Sequence, residues 1–333
     1  MKNIDFGIRV EMDEKTGSGH FFRCLALAEE LKKRKKSVVF LISDLKKFQY
    51  HVKKHFPYFL LKGKTENKKI LECNDLMKNI NTVIIDLPRK QDDYGEKLKD
   101  HNVVIVDDIG KLKIFSNFLI NGSLVKKFHN YKSENKNTKF LLGPKYMMIR
   151  KEFKNARKKI KINNKSIRKV LITFGGSDEK NITSKILPFL LKKDVKISVI
   201  LGPSYKHKHD IYKVTKNESR VKLYENPKNL ASIFSKQDLV ISSSGITIYE
   251  LASLGIPTIM IPANNAQEQT AKEMKRKGFG VILNSKKIND DNFNQVYSKI
   301  EDFRHRKNMY KIGRKNVDGK GIERISTILI KKS

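Results

Sequence analysis

Apolar positions along the chain fall into short runs separated by polar stretches with helical spacing. Ile4 to Val10 reads as a strand. Phe21, Cys24, Leu25, Ala28 and Leu31 recur at helical spacing and predict an amphipathic helix that ends in a basic turn. Apolar strands follow at Val38–Ile42, Val83–Ile85 and Val103–Val106, the last two ending in acid at Asp86 and at Asp107 with Asp108. Phe140 to Tyr146 carries a Gly-Pro turn. A second alternation then begins. Strand Val170–Phe174 precedes a helix from Asn181 and strand Ile197–Leu201; helix Leu230–Ser235, strand Leu239–Ile241, helix Thr247–Leu254, strand Thr258–Ile261 and helix Gln267–Lys277 complete it.

Strands joined by helices imply parallel sheets with right-handed crossovers. Two such halves of similar size predict an α/β protein of two Rossmann-like domains facing a central cleft. The first domain is expected over 1–155 and the second over 169–333, with the last helix a candidate to return to the first domain. The stretch 156–168, dense in Lys, Arg and Asn, is expected to be the linker.

Composition narrows the class. The chain has 333 residues, 39% of them hydrophobic and 32% charged, which supports folded cores and argues against wholesale disorder. Its two cysteines, Cys24 and Cys73, are far apart, so neither a disulfide framework nor a structural zinc site is expected. His207 and His209 sit in a lysine-rich loop without ligands at metal spacing, so no metal is expected. No apolar run is long enough to span a bilayer, and the N-terminal residues are acidic where a signal peptide needs its apolar region. A monomer of the reducing cytoplasm is the expectation.

The charge is unusual. Seventy Lys and Arg against 35 Asp and Glu give a net +35. The lysines are spread along the whole chain and are not interleaved with aromatic residues as a stacking platform requires. They read as solvated faces, with at most a weak attraction to anionic surfaces and no specific nucleic-acid partner.

Four segments carry candidate chemistry. Gly17-Ser18-Gly19-His20-Phe21-Phe22-Arg23 lies between the first strand and first helix, but Phe22 stands where the dinucleotide fingerprint needs its third glycine. The segment instead presents His20 at a helix N-terminus, where a neutral imidazole can act as a base. Phe174-Gly175-Gly176-Ser177-Asp178 follows the first strand of the second half, and its glycines let backbone N–H groups approach an anion. Asp178 would compete with a phosphate there, or else cap the next helix. Ser244, Gly245, Ile246 and Thr247 open a later helix whose backbone donors suit a diphosphate, and Glu250, one turn on, suits the hydroxyls of a ribose. Asn265 and Gln267 begin the next helix, where an amide could hold a sugar or water, or Asn265 or its neighbour could cap the helix. Asp86, Asp107 and Asp108 end strands and could face the cleft, although strand-end aspartates are often helix caps.

The motifs GxGHxxRxLxLA, FGGSD and SSGxTxYELxxLGxP, in that order over nearly the whole chain, resemble the GT-B superfamily of nucleotide-sugar enzymes. Within it they are similar to the branch that hydrolyses UDP-2,4-diacetamido-2,4,6-trideoxy-β-L-altropyranose in pseudaminic acid biosynthesis, with its related spore-coat polysaccharide proteins. Leu141 to Phe153 is similar to that branch's segment between the halves. The resemblance implies a UDP-sugar substrate, C1–O cleavage with inversion, and no metal or other cofactor. It implies His20 as catalytic base, with Gly17, Gly19, Arg23, Asn265 and Gln267 on the sugar side. Gly175, Gly176, Ser177 and Ser244 to Thr247 would flank the diphosphate, and Glu250 would bind ribose. Two departures stand out: Asp86 is followed by Leu87-Pro88, without the branch's tyrosine, and Asn265-Ala266-Gln267 replaces Glu-Asn-Gln. A transferase using a sugar hydroxyl in place of water, or a polyanion-binding protein on a decayed frame of this kind, are the alternatives.

Overall fold

The computed structural model describes residues 3–12, 19–48, 52, 55–88, 91–110, 113–162, 164–227 and 229–331. The chain divides into two units, Met1–Met148 with Lys320–Ser333, and Ile149–Gly319.

The first unit runs β1 (Ile4–Val10), α1 (Gly19–Lys33), β2 (Val38–Ile42), α2 (Leu45–Phe48), β3 (Tyr58–Leu60), α3 (Glu66–Leu76), β4 (Ile80–Asp86), α4 (Gln91–Lys97), β5 (Asn102–Val106), β6 (Lys113–Ile114), β7 (Phe118–Asn121), β8 (Lys132–Ser133) and β9 (Lys139–Leu142). Seven parallel strands form one sheet in the order β3-β2-β1-β4-β5-β7-β9. Strand pleat sends alternate side chains to opposite faces. Phe6, Ile8 and Val10 of β1 join Phe21, Cys24, Leu27 and Leu31 of α1 in one core. Val83, Ile85, Val103 and Ile105 face the other way, onto Ile70 and Cys73 of α3 and Tyr94 of α4. Strand order reverses between β1 and β4, and there α/β sheets open a crevice at the carboxyl ends of their strands. Val10 pairs in register with Asp86, so β1 and β4 end level with each other.

The second unit repeats the plan: α5 (Lys151–Arg157), β10 (Lys169–Thr173), α6 (Ile182–Leu191), β11 (Lys196–Leu201), α7 (Lys208–Thr215), β12 (Val221–Glu225), α8 (Leu230–Phe234), β13 (Leu239–Ser242), α9 (Ile246–Leu254), β14 (Thr258–Met260), α10 (Asn265–Arg276), β15 (Val281–Ile282), α11 (Asp290–Glu301) and α12 (Phe303–Asn316). Its six parallel strands lie in the order β12-β11-β10-β13-β14-β15, with the reversal between β10 and β13. The last helix, α13 (Gly321–Ile330), belongs to the first unit, where Ile322, Ile325 and Leu329 enter the core shared with α1. Gly321 is required there, because a Cβ would stand 2.1 Å from the Met147 carbonyl oxygen.

The boundary differs from the expected linker. Residues 156–168 lie inside the second unit, which already begins at Ile149. The cause is local packing that a Lys-rich composition hides. Phe153 of α5 is fully buried and meets Phe234 edge-on at 5.5 Å, while Arg157 donates to the carbonyls of Val317, Arg314 and Ser253. Among the described residues, no helix is long and apolar enough to cross a membrane.

Candidate active site

In the first unit the end of β4 and the helix that follows β1 build a common cluster at the reversal point. Asp86 ends β4 and is fully buried, while α1, entered after β1, carries His20, Arg23 and Cys24. His20 Nδ1 lies 2.7 Å from Asp86 Oδ1. Arg23 donates to both oxygens of Asp86, from Nε to Oδ2 and from Nη2 to Oδ1, each at 2.6 Å. Its Nη1 donates to Asp108 Oδ1 at 2.6 Å, and the Cys24 thiol donates to Asp86 Oδ2 at 3.2 Å. Burial disfavours a charge on Asp86, but the Arg23 guanidinium, and after it His20, outweigh that and hold the carboxyl well below its ordinary range. Burial and then Asp86 push the Cys24 thiol far up, so it is an inert donor.

An ionised carboxylate only accepts, so the proton shared by His20 and Asp86 sits on Nδ1 and leaves Nε2 as the basic nitrogen. Arg23 Nη2 also stands 3.0 Å from Nδ1, but an unprotonated Nδ1 would face the ionised Asp86 oxygen acceptor to acceptor at 2.7 Å, so the shorter contact decides the tautomer. His20 keeps 15% of its side-chain surface exposed, and Nε2 stands 4.0 Å from Asp108 Oδ2. Arg23 is only 3% exposed and taken up by two carboxylates. It therefore positions Asp86, where the sequence motif had suggested contact with a sugar. Gly17 lies outside the described residues, and Gly19 is the first residue of α1. Asp107, also buried, is spent on its own loop, accepting from Ile109 and Gly110 backbone N–H groups and from the Tyr131 hydroxyl.

In the second unit the loops after β10 and β13 emerge side by side, since Thr173 pairs with Ser242. Gly175 has φ +77°, which a side chain rarely adopts, and a Cβ on Gly175 or Gly176 would meet nothing within 4 Å. Both glycines thus border open space. Their loop rests on Gly202, whose Cβ would stand 2.3 Å from the Gly175 oxygen, and Ser204 N donates to the Gly176 oxygen at 3.0 Å. Asp178 accepts from Ile182 N and Thr183 N and so caps α6, with no part left for a phosphate.

Gly245 precedes α9, and a Cβ there would approach just Gln267 Nε2, at 3.8 Å. The first backbone N–H groups of α9, from Ile246 and Thr247, have no acceptor within the helix. Ser244 is 1% exposed, and among the described residues its hydroxyl and that of Ser242 have no hydrogen-bond partner. Gln267 is fixed by accepting from Ala263 N at 2.9 Å, beside the Ala263 carbonyl that takes the ammonium of Lys180. The cap of α10 is Asn264, accepting from Gln267 N, while Asn265 is exposed in the first turn. Glu250 is 4% exposed and accepts from Arg150 through both oxygens, at 2.7 and 3.1 Å. A ribose there has to share the carboxylate with that guanidinium. His207 and His209 stand in and beside the first turn of α7, and among the described residues no group of three or more His, Cys, Asp or Glu is arranged to hold a metal.

Sequence reading missed Gly202, Arg150 and Lys180, and placed Asp86 and Asp108 only as strand-end acids that could face the cleft or cap a helix.

Comparison with known proteins agrees with this layout. Residues 170–325 match the model of the glycosyltransferase family 28 C-terminal domain. An uncharacterized protein of Methanocaldococcus jannaschii is 31% identical over 282 residues, a match that covers 78% of this chain and 56% of that protein, so the chain spans little more than half of that relative's length. The spore coat polysaccharide biosynthesis protein SpsG of Bacillus subtilis is 25% identical, with 97% of both chains covered. Among solved structures, Acinetobacter baumannii MurG superposes with a TM-score of 0.70 at 14% identity, covering 98% of this chain and 99% of that one, which speaks to the fold. The chain therefore has the GT-B fold, and its second half is similar to the C-terminal domain of family 28 glycosyltransferases.

Proposed function

We propose that this chain hydrolyses a UDP-activated deoxy-diacetamido sugar to UDP and free sugar, by inverting attack of water at C1, in the biosynthesis of a surface polysaccharide or nonulosonic acid. The observation that carries this reading is the His20–Asp86 pair, which leaves a basic nitrogen on the accessible side of a buried carboxylate. UDP is a good leaving group, so the reaction needs a base for the nucleophile and donors for the departing diphosphate. The second unit offers such donors in the first turn of α9 and the Ser244 hydroxyl, beside glycines bordered by open space. Gln267 Nε2 lies beside Gly245 and would meet the same anion.

Transfer to a sugar hydroxyl is the second reading, and the family 28 match favours it. Donor binding is common to both reactions, so that match leaves the nucleophile open. Incubation with UDP-2,4-diacetamido-2,4,6-trideoxy-β-L-altrose and no acceptor separates them. UDP release at catalytic rates supports hydrolysis. Release only on adding a sugar acceptor overturns it in favour of transfer.

A further inference from the structure

His20 Nε2 and Asp108 Oδ2 form a pair of hydrogen-bond acceptors. They are 4.0 Å apart, too far to bond each other. One oxygen about 2.8 Å from each can bridge that gap. Each is held in place from its other side. His20 Nδ1 is fixed by Asp86, and Asp108 Oδ1 accepts from Arg23. Among the described residues neither Nε2 nor Oδ2 has another hydrogen-bond partner, and the Asp108 side chain is 37% exposed. A single positively charged side chain, Arg23, therefore holds both carboxylates, and the two remaining acceptors lie close enough to share one donor.

From this, and resting on the hydrolytic reading above, we infer that Asp108 is a further catalytic residue that selects water as the nucleophile. Water has two O–H bonds, and here one points to Nε2 and the other to Oδ2. A monohydric alcohol has one. With its O–H on His20, it leaves Asp108 Oδ2 facing carbon, at the cost of one hydrogen bond to the carboxylate. In the reaction the water oxygen forms its bond to C1 as the proton on the Nε2 side passes to His20. The bond from C1 to the β-phosphate oxygen breaks, and its electron pair leaves with UDP. The second proton stays on the new hydroxyl and keeps its hydrogen bond to Asp108. The resulting imidazolium lies between two carboxylates, Asp86 and Asp108, whose combined charge exceeds that of Arg23 by one.

The test compares wild type, Asp108→Ala and Asp108→Asn in aqueous methanol with the same UDP-sugar, scoring free sugar against methyl glycoside. The product ratio does not depend on how much of the protein is folded, so a destabilised variant remains informative. Both variants are expected to lose about 10- to 100-fold in hydrolysis, the scale of one lost hydrogen bond to a charged group. Their methyl glycoside to free sugar ratio is expected to rise at least about fivefold over wild type, the effect of about 1 kcal/mol at 1.4 kcal/mol per tenfold change. A ratio within about twofold of wild type overturns the inference and leaves hydrolysis by His20 standing. A variant that loses both products equally assigns Asp108 to orienting Arg23 and Asp86 and also overturns it. Failure of wild type to release UDP without an acceptor overturns the hydrolytic reading itself.

Discussion

His20 on α1 and Asp86 at the end of β4, 66 residues apart in sequence, stand 2.7 Å from each other across the reversal point of the first sheet. The carboxylate sets the imidazole tautomer, and Arg23 keeps that carboxylate ionised.

Replacing the base and replacing its orienting group have different signatures. His20→Asn is expected to abolish turnover, a loss of at least about 10²- to 10⁴-fold in kcat, while UDP affinity by calorimetry stays within a few-fold. Equal loss of turnover and UDP affinity removes His20 from the role of base. Asp86→Asn keeps the shape but lets an amide donate to Nδ1, which moves the imidazole proton to Nε2. A fall of about 10³-fold or more in kcat is expected, with KM little changed.

The same carboxylate predicts a pH dependence of stability. The Asp86 pKa is depressed in the folded protein, so its contribution is complete above the unfolded value of about 4 and declines as pH falls below it. Urea unfolding of wild type and Asp86→Asn should show a stability gap that is constant near neutrality. The gap should narrow below about pH 4. A gap that widens on acidification contradicts the assigned sign.

Gly176 and Gly202 touch each other yet should respond oppositely to a methyl group. A Cβ on Gly176 meets nothing within 4 Å, so Gly176→Ala should leave the melting temperature unchanged or slightly raised, by about 0.4–1 kcal/mol. UDP affinity should nevertheless fall if a phosphate approaches that loop. Gly202→Ala drives a Cβ to 2.3 Å from a backbone oxygen and should lower the melting temperature by several degrees, about 1–3 kcal/mol. Calorimetric melts with and without UDP check both halves.

Glu250 carries a structural duty beside any contact with ribose. Glu250→Ala removes the two oxygens to which Arg150 donates in a largely buried pair and is expected to cost about 3–5 kcal/mol. A thermal melt at wild-type temperature, with UDP binding lost, would show that the pair is not structural and that the carboxylate serves the ligand alone.

By itself, the sequence determined the local elements and their order. Strand Val38–Ile42 stands where its apolar run begins and ends, and His20, Gly175 and Gly245 fall on loops or helix starts at strand ends. These features depend on neighbours a few residues away, through side-chain periodicity and glycine backbone freedom. Tertiary structure decided the partnerships. Asp86 read as a strand-end acid for the cleft or for a helix cap until the order β1-β4-β5 set it beside His20 and Arg23, and brought Asp108 within reach of the same guanidinium from 85 residues away. Asp178 turned out to be the cap. Phe153 held the Lys-rich segment inside the second unit, and Ile325 and Leu329 carried α13 back to the first. Strand order in a parallel sheet is chosen by which faces bury together after long crossovers, and no local pattern encodes which strand ends become neighbours.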